Sequence, residues 1–295
     1  MKITVFTPTY NRAYIIKNLY DSLKRQTFTD FEWVVVDDGS IDNTENLFAD
    51  LMSQDNGFPI IYKKTENGGK HRAINCGVKL AQGELFFIVD SDDYITDDAL
   101  EQIAKVEESI HEEQKGTFAG VCGLKAYKLG ENIGQTFEGD YLDITTLERE
   151  KYRITGDKAE VFYTHILKKY TFPQFEGEKF VTECVVWDKI AADGYKLRFF
   201  NRQCMICNYL EDGLTAKYIQ LLWDNPQGYG LYIHQCILYG KIPQGLPKWN
   251  KYLEYYVHLR NKYSFCKIAK FLHINPVKLW LRLFFLRAFY KLYSK

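Results

Sequence analysis

The order of the first ninety residues constrains this chain most, because short apolar runs alternate there with amphipathic stretches of helical period. ITVFT (3–7), FEWVVVDD (31–38), PIIYKK (59–64) and ELFFIVD (84–90) read as strands. Between them, AYIIKNLYDSLKRQ (13–26) places Ile15, Ile16, Leu19, Tyr20 and Leu23 on one face. NTENLFADLMSQ (43–54) and KHRAINCGVKLAQG (70–83) read as two further helices, the second closed by Gly83. Strands that are apolar along nearly their whole length are buried on both faces. That requires an α/β fold, a Rossmann-like, mostly parallel sheet flanked by helices.

Such sheets take ligands outside the carboxyl ends of their strands. Thr7, the pair Asp37–Asp38 and Asp90 fall at those ends and are expected to face one crevice. FFIVDSDD (86–93) then crowds three carboxylates, Asp90, Asp92 and Asp93, into four positions. Like charges this close cost energy unless something positive lies between them. A strand ending in Asp-x-Asp can hold a hard divalent cation, Mg²⁺ or Mn²⁺, with phosphate and water completing its shell. A solvated turn in which Asp93 or Asp97 caps the next helix would show the same spacing.

Two neighbouring stretches suit the rest of a nucleotide. In VVVDDGS (34–40), a strand-end Asp can accept from a uracil N3–H or from ribose hydroxyls, and Gly39 lets the backbone turn close to a ligand. A plain Asp-Gly turn accounts for Gly39 but not for the paired carboxylates. ENGGKHRAIN (66–75) sets two glycines ahead of a helix start that carries Lys70, His71 and Arg72, an arrangement suited to phosphate.

Beyond residue 115 the alternation is less regular. TFAGVCGLKAYK reads as a strand or two, EVFYTHILKKY as a helix, and TECVVWDKIAADG as a helix ending at Gly194. After Gly213 the chain turns rich in Tyr, Trp and Leu at helical spacing. We therefore expect a catalytic-type domain over 1–215 and a helical, aromatic and basic extension over 216–295.

Charge divides the chain in a similar way. The net charge is zero, yet residues 255–295 hold nine Lys/Arg and no Asp or Glu. Such a basic segment implies an anionic partner. In VKLWLRLFFLRAFYKLYSK, Trp280, Phe284, Phe285, Phe289 and Tyr290 are interleaved with the cations, and the longest apolar run is four residues. That is far short of the ~20 residues needed to span a bilayer. A helix lying in the headgroup plane of the inner membrane face is expected, drawn there by anionic lipid. At about 100° per residue, Lys278 and Arg282 fall almost opposite Arg287, Lys291 and Lys295, which also suits a helix packed on the domain with basic ends. No nucleic-acid module is recognisable, so no nucleic-acid partner is expected. MKITVFTPTY opens on a strand rather than a signal peptide, and seven scattered cysteines suit a reducing compartment. Both point to the cytoplasm. Cys204 and Cys207 have zinc-like spacing without a second pair and read as buried thiols.

Taken together, TPTYNR, QTFTDFEWVVVDDGSIDNT, NGGKHRAIN and AQGELFFIVDSDDYI resemble, in order and spacing, the family 2 glycosyltransferases of GT-A fold. The resemblance covers roughly residues 1–215 and is nearest to bacterial enzymes that build capsule, exopolysaccharide or O-antigen repeats. It implies transfer of a sugar from a nucleotide-diphosphate donor, usually UDP-linked, with inversion at the anomeric carbon, to a saccharide or lipid-linked saccharide acceptor. Position by position, Thr7 and Asp38 resemble base and ribose contacts, and Lys70 a cation near the base or phosphates. Asp90 resembles the ribose-contacting member of the Asp-x-Asp and Asp92 the metal-facing one, a task Asp93 could share. The catalytic base of the family lies in a Glu-Asp or Thr-Glu-Asp motif at a helix start. KFVTECVVWDKIA (179–191) occupies that place with Cys184 where Asp is expected, which leaves Glu183 as the implied base and Asp188 or a substrate group as alternatives. YLEDGLTAKY (209–218) resembles the segment that precedes helices closing over the donor. Two other readings stay open: a sugar nucleotidyltransferase, against which TPTYNR stands in place of a Gly-rich loop, and an inactive nucleotide-sugar-binding module, suggested by Cys184.

Overall fold

The computed structural model describes residues 1–293, with side chains through Leu286. In chain order the elements are β1 (Ile3–Thr9), α1 (Lys17–Lys24), β2 (Phe31–Asp37), α2 (Thr44–Met52), β3 (Ile60–Lys64), α3 (Lys70–Leu80), β4 (Leu85–Ile88), β5 (Tyr94–Ile95) and α4 (Ala99–Glu108). They continue as α5 (Glu112–Lys115), β6 (Phe118–Lys128), β7 (Glu131–Asn132), β8 (Tyr141–Ile144), β9 (Lys158–Tyr163), α6 (Thr164–Lys169), α7 (Cys184–Ala192) and β10 (Lys196–Ile206). Helices follow: α8 (Tyr218–Asp224), α9 (Pro226–Leu238), α10 (Leu246–Leu259), α11 (Phe265–Phe271) and α12 (Pro276–Tyr293). The chain divides into two compact units, Met1–Phe172 with Lys189–Lys217, and Pro173–Asp188 with Tyr218–Lys295.

The first unit is a mixed α/β layer. Its sheet runs β3-β2-β1-β4-β9-β6-β10-β5. The four strands β3, β2, β1 and β4 are parallel, and every residue of β1 and β2 is buried, as the unbroken apolar runs required. β9 is antiparallel to both β4 and β6, while β10 lies parallel to β6. The helix expected over EVFYTHILKKY is corrected here: residues 158–163 are a strand and only Thr164–Lys169 is helical. Val161, Phe162 and Tyr163 are buried in the slot between β4 and β6, so tertiary pairing overrides the local pattern. The eleven-residue β10 has no clean apolar signature because its register against β6 shifts repeatedly.

Two glycines act through close approach. A Cβ on Gly77 would fall 2.1 Å from the Phe6 ring, which is how α3 seats on β1. Gly83 does not stop α3, which ends at Leu80; a Cβ there would lie 2.4 Å from the Thr4 amide nitrogen. One buried carboxylate joins three segments at the amino ends of the strands. Glu32 accepts from the Thr4 hydroxyl at 2.6 Å and from the Gln82 and Gly83 amides at 2.7 and 3.3 Å.

The second unit is helical. Tyr229, Ile233, Tyr255, Leu259, Ile268, Leu272, Leu279 and Leu283 form its core. Glu178 accepts from the Gln227 and Gly228 amides at 2.7 and 2.9 Å, a carboxylate placed on the positive end of α9. Helix α12 buries Leu279, Leu283 and Leu286 and exposes Val277, Trp280, Leu281, Phe284 and Phe285. Arg282 lies over the Trp249 ring, whereas the side chains of Arg287, Phe289, Tyr290, Lys291 and Lys295 lie outside the described residues. No described helix is long and apolar enough to cross a membrane.

Candidate active site

The carboxyl edge of the parallel strands gathers Asp37, Asp38, Lys70 and Asp90. Asp37 ends β2 and turns inward: its carboxylate accepts from the Ser40 amide at 2.7 Å and the Tyr62 hydroxyl at 2.5 Å. Asp38, one residue on, reaches the glycine pair ahead of α3. It accepts from the Gly68 amide at 2.7 Å and the Gly69 amide at 2.8 Å, and from the Asn67 side chain at 3.2 Å. Gly39 is needed where the chain bends away (φ 81°), since a Cβ there would press on Asn67 at 2.8 Å.

The same loop delivers the cation to the next strand. Lys70 opens α3, and its ammonium lies 2.6 and 2.9 Å from the two carboxylate oxygens of Asp90. Burial works to raise the Asp90 pKa, but Lys70 and, from β6, Lys125 outweigh it and hold the carboxyl below its ordinary range. Those two lysines offset the charge of Asp90 among the crowded carboxylates. Asp92 is half-buried and feels Asp90 strongly; burial and that neighbouring charge raise its pKa. Asp93 is buried, its carboxylate accepts from the Asn208 amide at 3.0 Å, and burial followed by Asp90 pushes it up to about 7.

Asp93 has a measurable consequence. Its folded-state pKa exceeds the unfolded value, so the native state binds the extra proton between roughly pH 4 and 7. Stability should therefore fall as pH rises through that window, with the penalty complete above pH 7. Asp93→Asn should flatten this slope, by about 1.4 kcal/mol for each pKa unit removed. Denaturant titrations at a series of pH values read it directly; an unchanged slope would reassign the Asp93 environment.

Two expected contacts are placed differently. Thr7 lies within β1 rather than at its end, is fully buried, and accepts from the Trp33 indole N–H at 2.9 Å. The strand-end hydroxyl belongs to Thr9, whose Oγ1 is buried without a hydrogen-bond partner among the described residues. His71, expected among the phosphate-directed cations, has a buried ring with both nitrogens unpartnered among the described residues, and desolvation lowers its pKa to about 4. It is neutral at physiological pH.

Loops close the rim. Asn11 (φ 54°) donates its amide to the Ser40 hydroxyl at 2.8 Å and accepts from the Ile41 amide at 2.9 Å, tying the turns after β1 and β2. Arg12 reaches Asp212 at 2.6 Å and so fastens the 209–218 segment to the β1 turn.

Glu183 belongs to the second unit and stands immediately before α7, with its carbonyl accepting from the Val186 and Trp187 amides. Its neighbour Cys184 is pushed up to about 11, by burial first and Asp188 second, so it stays a thiol. Asp188 is buried and bound by Lys241 at 2.6 Å to each oxygen.

Residues 4–128 match the family model described as glycosyl transferase family 2. This chain carries a family 2 glycosyltransferase region. Among similar proteins is the poly(ribitol-phosphate) beta-N-acetylglucosaminyltransferase TarS of Staphylococcus aureus, 37% identical over 170 residues, 57% of this chain and 28% of TarS. The glycosyltransferase GlyA of Streptococcus pneumoniae is 36% identical over 246 residues, 83% of this chain and 31% of GlyA. The chain thus spans about a third of the length of these glycosyltransferases. The crystal structure of S. aureus TarS 1–349 in complex with UDP-GlcNAc aligns with a TM-score of 0.60 at 22% identity, covering 88% of this chain and 81% of that one. The mannosyltransferase PcManGT from Pyrobaculum calidifontis, solved with GDP-Man and Mn²⁺, aligns at 0.54 and 21% identity over 99% of this chain and 82% of that one. At such identities the likeness is one of fold, and it is the GT-A arrangement.

Whether a divalent ion suits this edge can be judged from its donors. No group of three or more His, Cys, Asp or Glu able to hold a metal ion occurs among the described residues. The edge does carry a half-buried carboxylate, Asp92, whose charge is disfavoured by burial and then by Asp90 and would be relieved by a cation. That donor set fits a hard ion shared with phosphate rather than one caged by protein.

Proposed function

We propose that this protein is an inverting glycosyltransferase that moves a sugar from a UDP-linked donor to a saccharide acceptor in cell-surface polysaccharide synthesis. The observation that carries the reading is the Asp38–glycine turn–Lys70–Asp90 chain of contacts along the carboxyl edge, with Asp92 beside it. Asp38 and Thr9 would meet the nucleoside, Thr7 acting beneath them by fixing Trp33. Asp90 would accept from ribose, and Lys70, freed from Asp90, would meet the diphosphate. Mg²⁺ or Mn²⁺, held by Asp92, would offset charge on the departing diphosphate. Glu183 takes the proton from the acceptor hydroxyl, which then attacks the anomeric carbon. The 209–218 segment, held by Arg12, would exclude water from the donor and so favour transfer over hydrolysis.

A screen of UDP- and GDP-sugars for hydrolysis with and without Mn²⁺ tests this. Metal-dependent release of UDP from one donor is the expected result. UDP binding with no hydrolysis or transfer from any donor would replace the enzyme with a binding module.

The acceptor is lipid-linked in this reading, and the protein works at the cytoplasmic face of the inner membrane. The support is α12, where Val277, Trp280, Leu281, Phe284 and Phe285 are exposed in a segment without acidic residues. Such a face inserts at the headgroup level while the cations meet anionic lipid. Cosedimentation with phosphatidylglycerol vesicles should exceed that with phosphatidylcholine, and Phe284→Ser with Phe285→Ser should abolish the excess. Equal partitioning to both vesicle types would remove the membrane from the account.

A further inference from the structure

The helical unit contains a cavity of about 270 Å³ to which the donor site assigns no role. Tyr218, Tyr229, Tyr232, Lys241, Ile242 and Lys251 line it. Ligand pockets for drug-sized molecules run from roughly 300 to 1,000 Å³, so this one suits a single ring rather than a nucleotide-sugar. We propose that it binds one sugar ring of the acceptor glycan, an inference that rests on the glycosyl-transfer reading above.

Two features of the lining point to a neutral sugar, and a third feature concerns its place. Tyrosine rings present electron-rich faces, on which the polarised C–H groups of a pyranose sit well. Both lysines are already matched by carboxylates, Lys241 by Asp188 at 2.6 Å and Lys251 by Glu254 at 3.0 Å. They therefore offer N–H donors to hydroxyls without the unbalanced positive charge that a phosphate or carboxylate would seek. The cavity also adjoins the start of α7. Tyr218 donates to the Thr182 hydroxyl at 3.4 Å. Thr182 and Cys184 flank Glu183 in sequence, so a ring in the cavity would be held within the unit that carries the assigned base.

Saturation-transfer NMR with methyl β-D-glucopyranoside and methyl N-acetyl-β-D-glucosaminide tests this on the full chain. Transfer to ring protons of at least one probe is expected, and it should persist when UDP is added. Ile242→Trp, which fills the cavity, should remove the signal. Lys251→Met should weaken binding about tenfold, the scale of one lost hydrogen bond. UDP affinity should be unchanged in both variants, and an unchanged far-UV circular dichroism melt reports that the helical unit of each is folded. No transfer to either probe, displacement by UDP, or full signal in both variants would overturn the proposal. Sugar binding at the cavity without any UDP binding would instead sink the glycosyl-transfer reading and leave the cavity assignment standing.

Discussion

Asp92→Asn should lower sugar transfer about 10²–10³-fold, the scale on which single electrostatic contacts to a developing charge act. The fold should survive, because Asp92 is half-buried and its charge is disfavoured by Asp90. Removing that charge costs the native state nothing in self-repulsion. The comparison with Asp90→Asn is informative, since that change strips Lys70 of the carboxylate it contacts through both oxygens and should perturb the turn before α3 as well. Steady-state turnover at saturating Mn²⁺, with a thermal melt for each variant, separates the two. Near-normal turnover in Asp92→Asn would refute its assignment to the metal.

Glu183→Gln is expected to reduce turnover about 10²–10⁴-fold, the range for loss of a general base, with UDP affinity preserved. The neighbouring groups cannot readily stand in. Cys184 remains protonated, and Asp188 is engaged by Lys241 through both oxygens. A fall in donor affinity with intact kcat would reassign Glu183 to substrate positioning.

The parallel half of the sheet was legible because β1, β2 and β4 are buried on both faces and announce it as apolar runs. That Asp38 and Asp90 share an edge followed from it, since parallel neighbours end on one side, whereas the pairing of Lys70 with Asp90 did not, because Lys70 opens a helix. Lys125 was not legible. It lies on a strand whose partners are remote in sequence, and no local pattern marks it as the second cation beside Asp90. β9 was hidden for a similar reason: its residues tolerate a helix, and only the gap between β4 and β6 demands an extended chain. Thr7 and Thr9 share one strand and one residue type, so no local pattern showed that Trp33 donates to the first while the second ends the strand.

The Glu32 junction has a practical consequence. By gripping Thr4 and the 82–83 turn, it anchors the strands at the margin farthest from the donor groups. Variation is thereby partitioned. Changes in the turns around 38–40 and 66–70 act on the opposite margin of the scaffold, through the contacts of Asp38 with Gly68 and Gly69. Engineers who alter 82–84 would be loosening its foundation.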